Sequence, residues 1–206
     1  MKVFTYVIQY NSGAAPNYAG PMVTLAICKP QVRRLARVGD LVLAFSGSLM
    51  SPEPHGVVWA GVVSEKLTFA EYWQDRRFAT KRPGRCATPD NIYAPDGSDL
   101  RQVNNPVHGP LDAGRDLSGR FVLLFGKAWA FGEPHPLLLA EFGLRMVGGR
   151  RGHRVTVLDA RRAAQLTRWL DQHSDSPAAG GSGARRARCL VPGRRTRKIR
   201  RGCRVL

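Results

Sequence analysis

Acidic side chains are scarce: 15 Asp and Glu face 32 Lys and Arg, a formal net charge of +17. That balance argues against a cationic partner and favours a polyanion, nucleic acid before membrane. The excess is uneven, because Ala184 to Leu206 holds ten basic residues and no acid, which leaves 22 basic against 15 acidic residues, or +7, on the remainder. Long apolar runs are missing too. No stretch approaches the roughly 18 residues a membrane helix needs, and Met1 to Tyr10 has neither the apolar core nor the small-residue cleavage site of a signal peptide, so the sequence reads as a cytoplasmic protein. The cysteines are four, at positions 28, 86, 189 and 203, without paired metal spacing. Neither a zinc cluster nor a disulfide framework is implied. Gly148 to Gly152 is glycine-rich and basic but lacks the Lys-Ser/Thr ending of a phosphate loop, and no cofactor fingerprint occurs.

What is present centres on Val38 to Ser48. Gly39-Asp40 predicts a tight turn, and Leu41 to Phe45 is a short apolar run of strand length that ends at Ser46-Gly47-Ser48. That ending is either a surface loop or the polar mouth of a pocket. Lys2 to Ile8 predicts the first strand, Met22 to Ile27 a second apolar run, and Pro30 opens a short helix to Ala36. This helix would turn Val32, Leu35 and Ala36 inward and leave Lys29, Arg33, Arg34 and Arg37 outside, a solvated face or a set of phosphate contacts. Gly56 to Ser64 returns as a strand carrying Trp59. Thr68 and Glu71 then have capping-box spacing, and Leu67 and Tyr72 that of a hydrophobic staple. Beyond Trp73, Phe78 is interleaved with Arg76, Arg77, Lys81, Arg82 and Arg85, a solvated turn or a surface that grips phosphates and stacks on a base.

Asp90 to Asp116 is rich in Asn, Pro, Gly and Asp and predicts loops, with His108 in the irregular Pro106 to Pro110 read as a loop histidine. Arg120 to Leu124 and Ala128 to Phe131 predict two strands joined by a turn at Gly126-Lys127. Leu137 to Leu144 predicts a short helix, Val155 to Leu158 the last strand, and Asp159 caps a helix to about Gln172. Glu133, His135 and Glu141 lack the spacing of a helical metal site. From Ser174 the composition becomes linker-like and then basic, so the reading is a folded unit over 1–173 and a disordered basic linker and tail over 174–206.

Several motifs in this order carry a resemblance. Tyr10-Asn11-Ser12-Gly13 with Pro16-Asn17, Cys28-Lys29-Pro30, Gly39-Asp40, Tyr72-Trp73 with Asp75 and Phe78, Lys81-Arg82-Pro83, and Asp90-Asn91-Ile92-Tyr93 resemble the pattern of the nucleotide modification associated domain 2 family over roughly residues 1 to 155. Asn11 stands where the pattern has an acid, and Pro89 where it has glycine. The resemblance implies a context of DNA base-hypermodification systems in bacteria and phages. A looser likeness to the PUA, EVE and ASCH barrels implies an α+β fold: a small mixed β-barrel with short peripheral helices and a C-terminal helix. Such a barrel implies a base-binding pocket of Asp40, Ser46, Gly47, Ser48, Trp59, Tyr72 and Trp73, flanked by the phosphate-binding candidates Lys29, Arg33, Arg76, Arg77, Lys81 and Arg82.

Three functions are consistent with the sequence. The first is a module that binds a modified or flipped base, in DNA before RNA, and it is favoured by the barrel-like pattern, the basic aromatic block and the lack of a legible catalytic constellation. The second is an enzyme of base or nucleotide hypermodification, with Cys28-Lys29, Asp90 and Tyr93 as reactive candidates. The third is a scaffold that docks base-modification enzymes on DNA by charge.

Overall fold

The strand Leu41–Ser46 is buried along its whole length, with Leu41, Leu43 and Phe45 in one hydrophobic cluster and Val42 and Ala44 in another. A strand apolar on both faces needs cover on both, so the sheet around it is the middle layer of the fold. The computed structural model describes residues 1–51, 55–137, 139–145 and 152–177. In it β1 (Lys2–Ile8), β2 (Val23–Leu25), β3 (Leu41–Ser46), β4 (Val57–Thr68), β7 (Phe121–His135), β8 (His153–Val157) and the two-residue β9 (Ser176–Pro177) form one sheet, while β5 (Tyr93–Asp96) and β6 (Asp99–Gln102) form a separate hairpin. The main path runs β2-β7-β4-β3-β1-β8, with β9 beside β7. β1 lies parallel to β3, and β4 returns antiparallel on the other side, so the predicted central strand is central.

One face is closed by α4 (Ala160–His173) through Leu166 and Leu170, with Phe142 and Leu144 beside it. Asp159 caps that helix by accepting from the Arg162 amide. The other face takes Phe4, Tyr6, Ile8 and Trp59, covered by α1 (Pro30–Leu35) through Val32 and Ala36. A third cluster joins α2 (Phe69–Gln74), the 3-10 turn Arg76–Lys81 and the β5 hairpin through Phe69, Tyr72, Phe78, Ile92 and Tyr93. The capping box at Thr68 and Glu71 forms as its spacing predicts.

Four expectations are corrected. The strand path is open, with no pairing between β2 and β8 among the described residues, so a closed PUA- or EVE-like barrel is not confirmed; the fold is α+β with short helices around a large sheet. Gly126-Lys127 is not a turn, because β7 runs through it as a 15-residue strand. Instead the β4–β7 pairing shifts register at that point, skipping Gly126 on β7 and then Ser64 on β4, and irregularities of this kind bend a long ribbon without breaking it. The short helix expected over Leu137 to Leu144 is a 3-10 helix over Leu139–Phe142. The segment read as loops from Asp90 to Asp116 holds the β5-β6 hairpin and most of α3 (Ala113–Leu117). Of the expected linker and tail, 178–206 lies outside the described residues, as does most of the glycine-rich segment 148–152.

Candidate functional site

Two buried polar clusters flank the strand β2, and the sequence motifs divide between them. In the first, the Asp90 carboxylate accepts from Thr24 Oγ1 at 2.6 Å and from the Tyr72 hydroxyl at 2.8 Å. Lys81 Nζ donates to Thr24 Oγ1 and Met22 O at 2.8 Å and to Asn17 O at 2.9 Å. Asn91 Nδ2 ties the Tyr72 and Phe78 carbonyls. Asn17, Thr24, Tyr72, Lys81, Asp90 and Asn91 are all buried. Burial is the leading cause of both charge shifts here: it lowers Lys81 to about 8 against the pull of Asp90, and raises Asp90 against the pull of Lys81. The cluster is sealed and every member is satisfied, so it works as a polar core that fixes α2 and the following loop onto β2.

The second cluster ends in a thiol. Cys28 follows β2, and its sulfur lies 3.4 Å from His108 Nε2. The other ring nitrogen, Nδ1, lies 2.5 Å from Asp116 Oδ2. Asp116 sits on α3 and also accepts from the Cys28 amide through Oδ1 and from the Tyr93 hydroxyl through Oδ2, both at 2.9 Å. Burial alone would raise its carboxyl, but the His108 ring, the Cys28 amide and the Tyr93 hydroxyl outweigh it and hold Asp116 below the ordinary range. A carboxylate on Nδ1 keeps the proton on that nitrogen and leaves Nε2 to accept from the thiol. This is the nucleophile, base and orienting acid arrangement of covalent catalysis. Exposure is graded along it: Asp116 is 0% and His108 6% exposed, while Cys28 is half-buried.

The backbone beneath the sulfur is strained. Cys28 and Lys29 take φ of 57° and 43°, left-handed values that cost side-chain-bearing residues of order 1–3 kcal/mol each and persist only where the surroundings hold them. The hold is visible. Arg33, fully buried, donates Nε to Cys28 O at 2.8 Å, Nη1 to Phe121 O at 2.7 Å and Nη2 to Asp116 O at 2.5 Å, so one guanidinium ties nucleophile and orienting acid together. Burial lowers its pKa to about 10, against the pull of Asp116. Gly119 makes room for it, since a Cβ there would stand 2.5 Å from Arg33 Cζ. His108 is fixed by its loop: Asn105 Oδ1 accepts from the Val107 and His108 amides, and Gln102 Nε2 donates to His108 O.

Cys28, His108 and Asp116 offer ligand atoms within 4.8 Å of one another, the spacing of a possible metal group. Yet Asp116 grips Nδ1 while the sulfur faces Nε2, and these nitrogens point apart. A cation between Sγ and Nε2 would therefore gain two protein ligands, with Asp116 behind the ring, fewer than a zinc site uses.

The residues expected to form a base pocket do not converge. Asp40 accepts from the Lys2 and Arg37 amides at the start of β3, whereas Ser46, Gly47 and Ser48 lie at its far end, about 20 Å away at strand rise. Ser46 Oγ accepts from the Gly56 amide, and Gly47 donates to Ile8 O. Trp59 is fully buried with its Nε1 on the Tyr6 hydroxyl, and Tyr72 is spent on Asp90. Trp73 is half-buried under the Arg82 guanidinium, which lies 4.5 Å from its ring centroid. Among the phosphate candidates, Arg33 and Lys81 are inside, which corrects the outward face read for Arg33. Arg77 is paired with Glu65 and Asp75. Lys29 Nζ donates to Val7 O and lies over the Tyr6 ring, and Arg76 is exposed.

Other motif residues have structural tasks. Gly13 takes a φ of 75°, Pro16 follows a cis bond and Pro30 starts α1. Asp75 caps the 3-10 turn, Phe78 is core and Tyr10 is exposed. Sequence reasoning missed His108, Asp116 and the inward turn of Arg33. The one available signal was the pair of prolines, Pro106 and Pro110, which stiffen the loop around His108.

No curated protein and no solved structure matches the chain. A family model described as nucleotide modification associated domain 2 matches residues 1–184, a span that takes in both polar clusters. With most of its length matched, the chain belongs to the nucleotide modification associated domain 2 family.

Proposed function

We propose that this protein is a thiol-dependent enzyme of a nucleotide-modification system, with nucleic acid, DNA before RNA, as its macromolecular partner. One observation carries the enzyme reading: the Cys28 sulfur 3.4 Å from His108 Nε2, with His108 Nδ1 held by a buried Asp116. Transfer of the thiol proton to Nε2 produces a thiolate beside an imidazolium that Asp116 stabilises, and the thiolate is the nucleophilic form. The family supplies the nucleotide-modification context, and the net charge of +17 supplies the argument for a polyanionic partner.

Recognition of a modified or flipped base is the second reading. It keeps support from the half-buried Trp73 and Arg82 beside the exposed Arg76, and loses the support of Trp59 and Tyr72, which are core residues here. Nucleoside analysis of DNA from cells carrying the modification system separates the readings. Replacing Cys28 by Ala or His108 by Ala is expected to abolish the modified nucleoside, while Trp73→Ala leaves it in place. An unaltered nucleoside profile with Cys28→Ala would reject the enzyme reading.

A further inference from the structure

The hydroxyl of Tyr6 is a buried donor with no acceptor among the described residues. Tyr6 is 0% exposed, and its oxygen accepts from Trp59 Nε1 at 3.1 Å. The oxygen is thus partnered, while among the described residues its own O–H meets no acceptor, which leaves one donor open to a ligand. The arrangement is built across the sheet: Tyr6 on β1 pairs with Ala44 on β3, which pairs with Trp59 on β4, and the small middle residue lets the indole reach over to the phenol. Accepting from an N–H polarises a hydroxyl and makes it a stronger donor. Tyr6 is also close to the nucleophile. Lys29, next in sequence to Cys28, places its ammonium 4.6 Å from the centre of the Tyr6 ring, and burial first, with smaller contributions from Tyr18 and then Cys28, raises the pKa of the Tyr6 hydroxyl.

The nucleophile itself lacks the usual donor. Thiol and serine acyl-transfer sites commonly place the nucleophile's own amide in the oxyanion hole. Here the Cys28 amide is spent on Asp116, and the Cys28 carbonyl on Arg33. We propose that the site transfers an acyl group through a thioester on Cys28, with the Tyr6 hydroxyl as the donor to the developing oxyanion. The inference rests on the thiol-enzyme reading and names its substrate class: an ester, thioester or amide donor, and an amine or water as acceptor.

The steps balance without a redox partner. The Cys28 thiol passes its proton to His108 Nε2, the sulfur bonds to the acyl carbon, and the carbonyl pair moves onto oxygen, facing Tyr6. When that pair returns, the bond to the leaving group breaks and the leaving group takes the proton from His108. The acceptor then adds to the thioester, gives its proton to His108, and the sulfur departs and recovers it. An Asp-oriented histidine suits this sequence because the proton must be both taken and returned.

The test uses the full chain and two small probes that differ in one respect. Alkylation of Cys28 by iodoacetamide needs the thiolate and develops no oxyanion, whereas acylation by p-nitrophenyl acetate needs both. Site-resolved mass spectrometry is expected to find one acetyl group on Cys28. Tyr6→Phe is expected to slow that acylation by roughly 100-fold and Trp59→Phe by roughly 10-fold, with alkylation of Cys28 in both variants within about twofold of the unmodified chain. If alkylation is fast but no acetyl-thioester forms, or Tyr6→Phe slows both probes alike, the acyl-transfer inference is overturned and the thiol-enzyme reading stands. If Cys28 alkylates no faster than Cys86, both are overturned.

Discussion

The two polar clusters that flank β2 are similar in composition and opposite in accessibility. Around Asp90 the chain of hydrogen bonds ends in the backbone carbonyls of Asn17 and Met22, inside the protein. Around Asp116 it ends at the half-buried sulfur of Cys28, on a left-handed backbone pinned by Arg33. The first cluster spends all its polarity on holding elements together. The second leaves a thiol at its outer end, with an imidazole and a carboxylate ranked behind it. Buried ionisable groups alone therefore do not single out a candidate site; here graded exposure and the left-handed backbone at Cys28 do.

The largest expected difference between the clusters is in stability. Asp90→Ala leaves the Lys81 ammonium buried without its counter-charge and is expected to cost about 3–5 kcal/mol in urea unfolding. Cys28→Ala removes a half-buried sulfur and is expected to change stability by about 1 kcal/mol or less. Equal losses for the two variants would erase the distinction between a structural and a functional cluster.

Gly119→Ala probes the link between Arg33 and the thiol. Its Cβ would press on a guanidinium that three hydrogen bonds prevent from swinging away. The expected result is a loss of about 1–3 kcal/mol together with slower alkylation of Cys28. Wild-type reactivity in a destabilised Gly119→Ala chain would show that Arg33 serves the fold alone.

The sealed cluster has its own pH signature. Lys81 falls to about 8 in the folded chain, below the roughly 10.4 of an unfolded lysine, so between those values the unfolded chain binds the extra proton. Stability contributed by Lys81 thus rises with pH, and Tm is expected to increase from about pH 8 to 9.5 in the wild type and not in Lys81→Met. Asp116 shifts in the same direction but at the acid end: its folded pKa is also depressed, so its contribution is complete above about pH 4 and is lost as pH falls through the folded value. Asp116→Asn is expected to flatten that acid limb. Thermal scans across both windows provide the check.

The smallest effect on stability is expected from removing 178–206, whose sequence offers few apolar groups; Tm should move by about 2 °C or less. The same deletion takes away ten basic residues, so any nucleic-acid binding is expected to lose salt dependence, measured as the slope of log affinity against log salt. An unchanged slope would place the phosphate contacts on the body.

Much of the framework was legible because its signals are local. The apolar run Leu41 to Phe45 between turn residues, the Thr68 and Glu71 box, and the Asp159 cap each specify their element within a few residues. β7 was misread because Gly126-Lys127 marks a turn and a bend equally well, and only the opposing strand decides between them. The site was largely illegible for the same reason. Cys28, His108 and Asp116 are separated by 80 and 8 residues, and no spacing rule connects them. The motif residues that stood out most, Asn17, Tyr72, Lys81, Asp90 and Asn91, proved to build the sealed cluster.

The measurement closest to the central claim is the pH dependence of iodoacetamide alkylation at Cys28, resolved by mass spectrometry, with the half-buried Cys86 as internal reference. A thiol paired with a carboxylate-held histidine is expected to react with an apparent pKa below about 7, and to move toward the ordinary value of about 8.5 in His108→Ala. Cys86 should react alike in both proteins. If Cys28 and Cys86 titrate together, and His108→Ala alters neither, then Cys28, His108 and Asp116 are a second structural cluster and the enzyme reading fails.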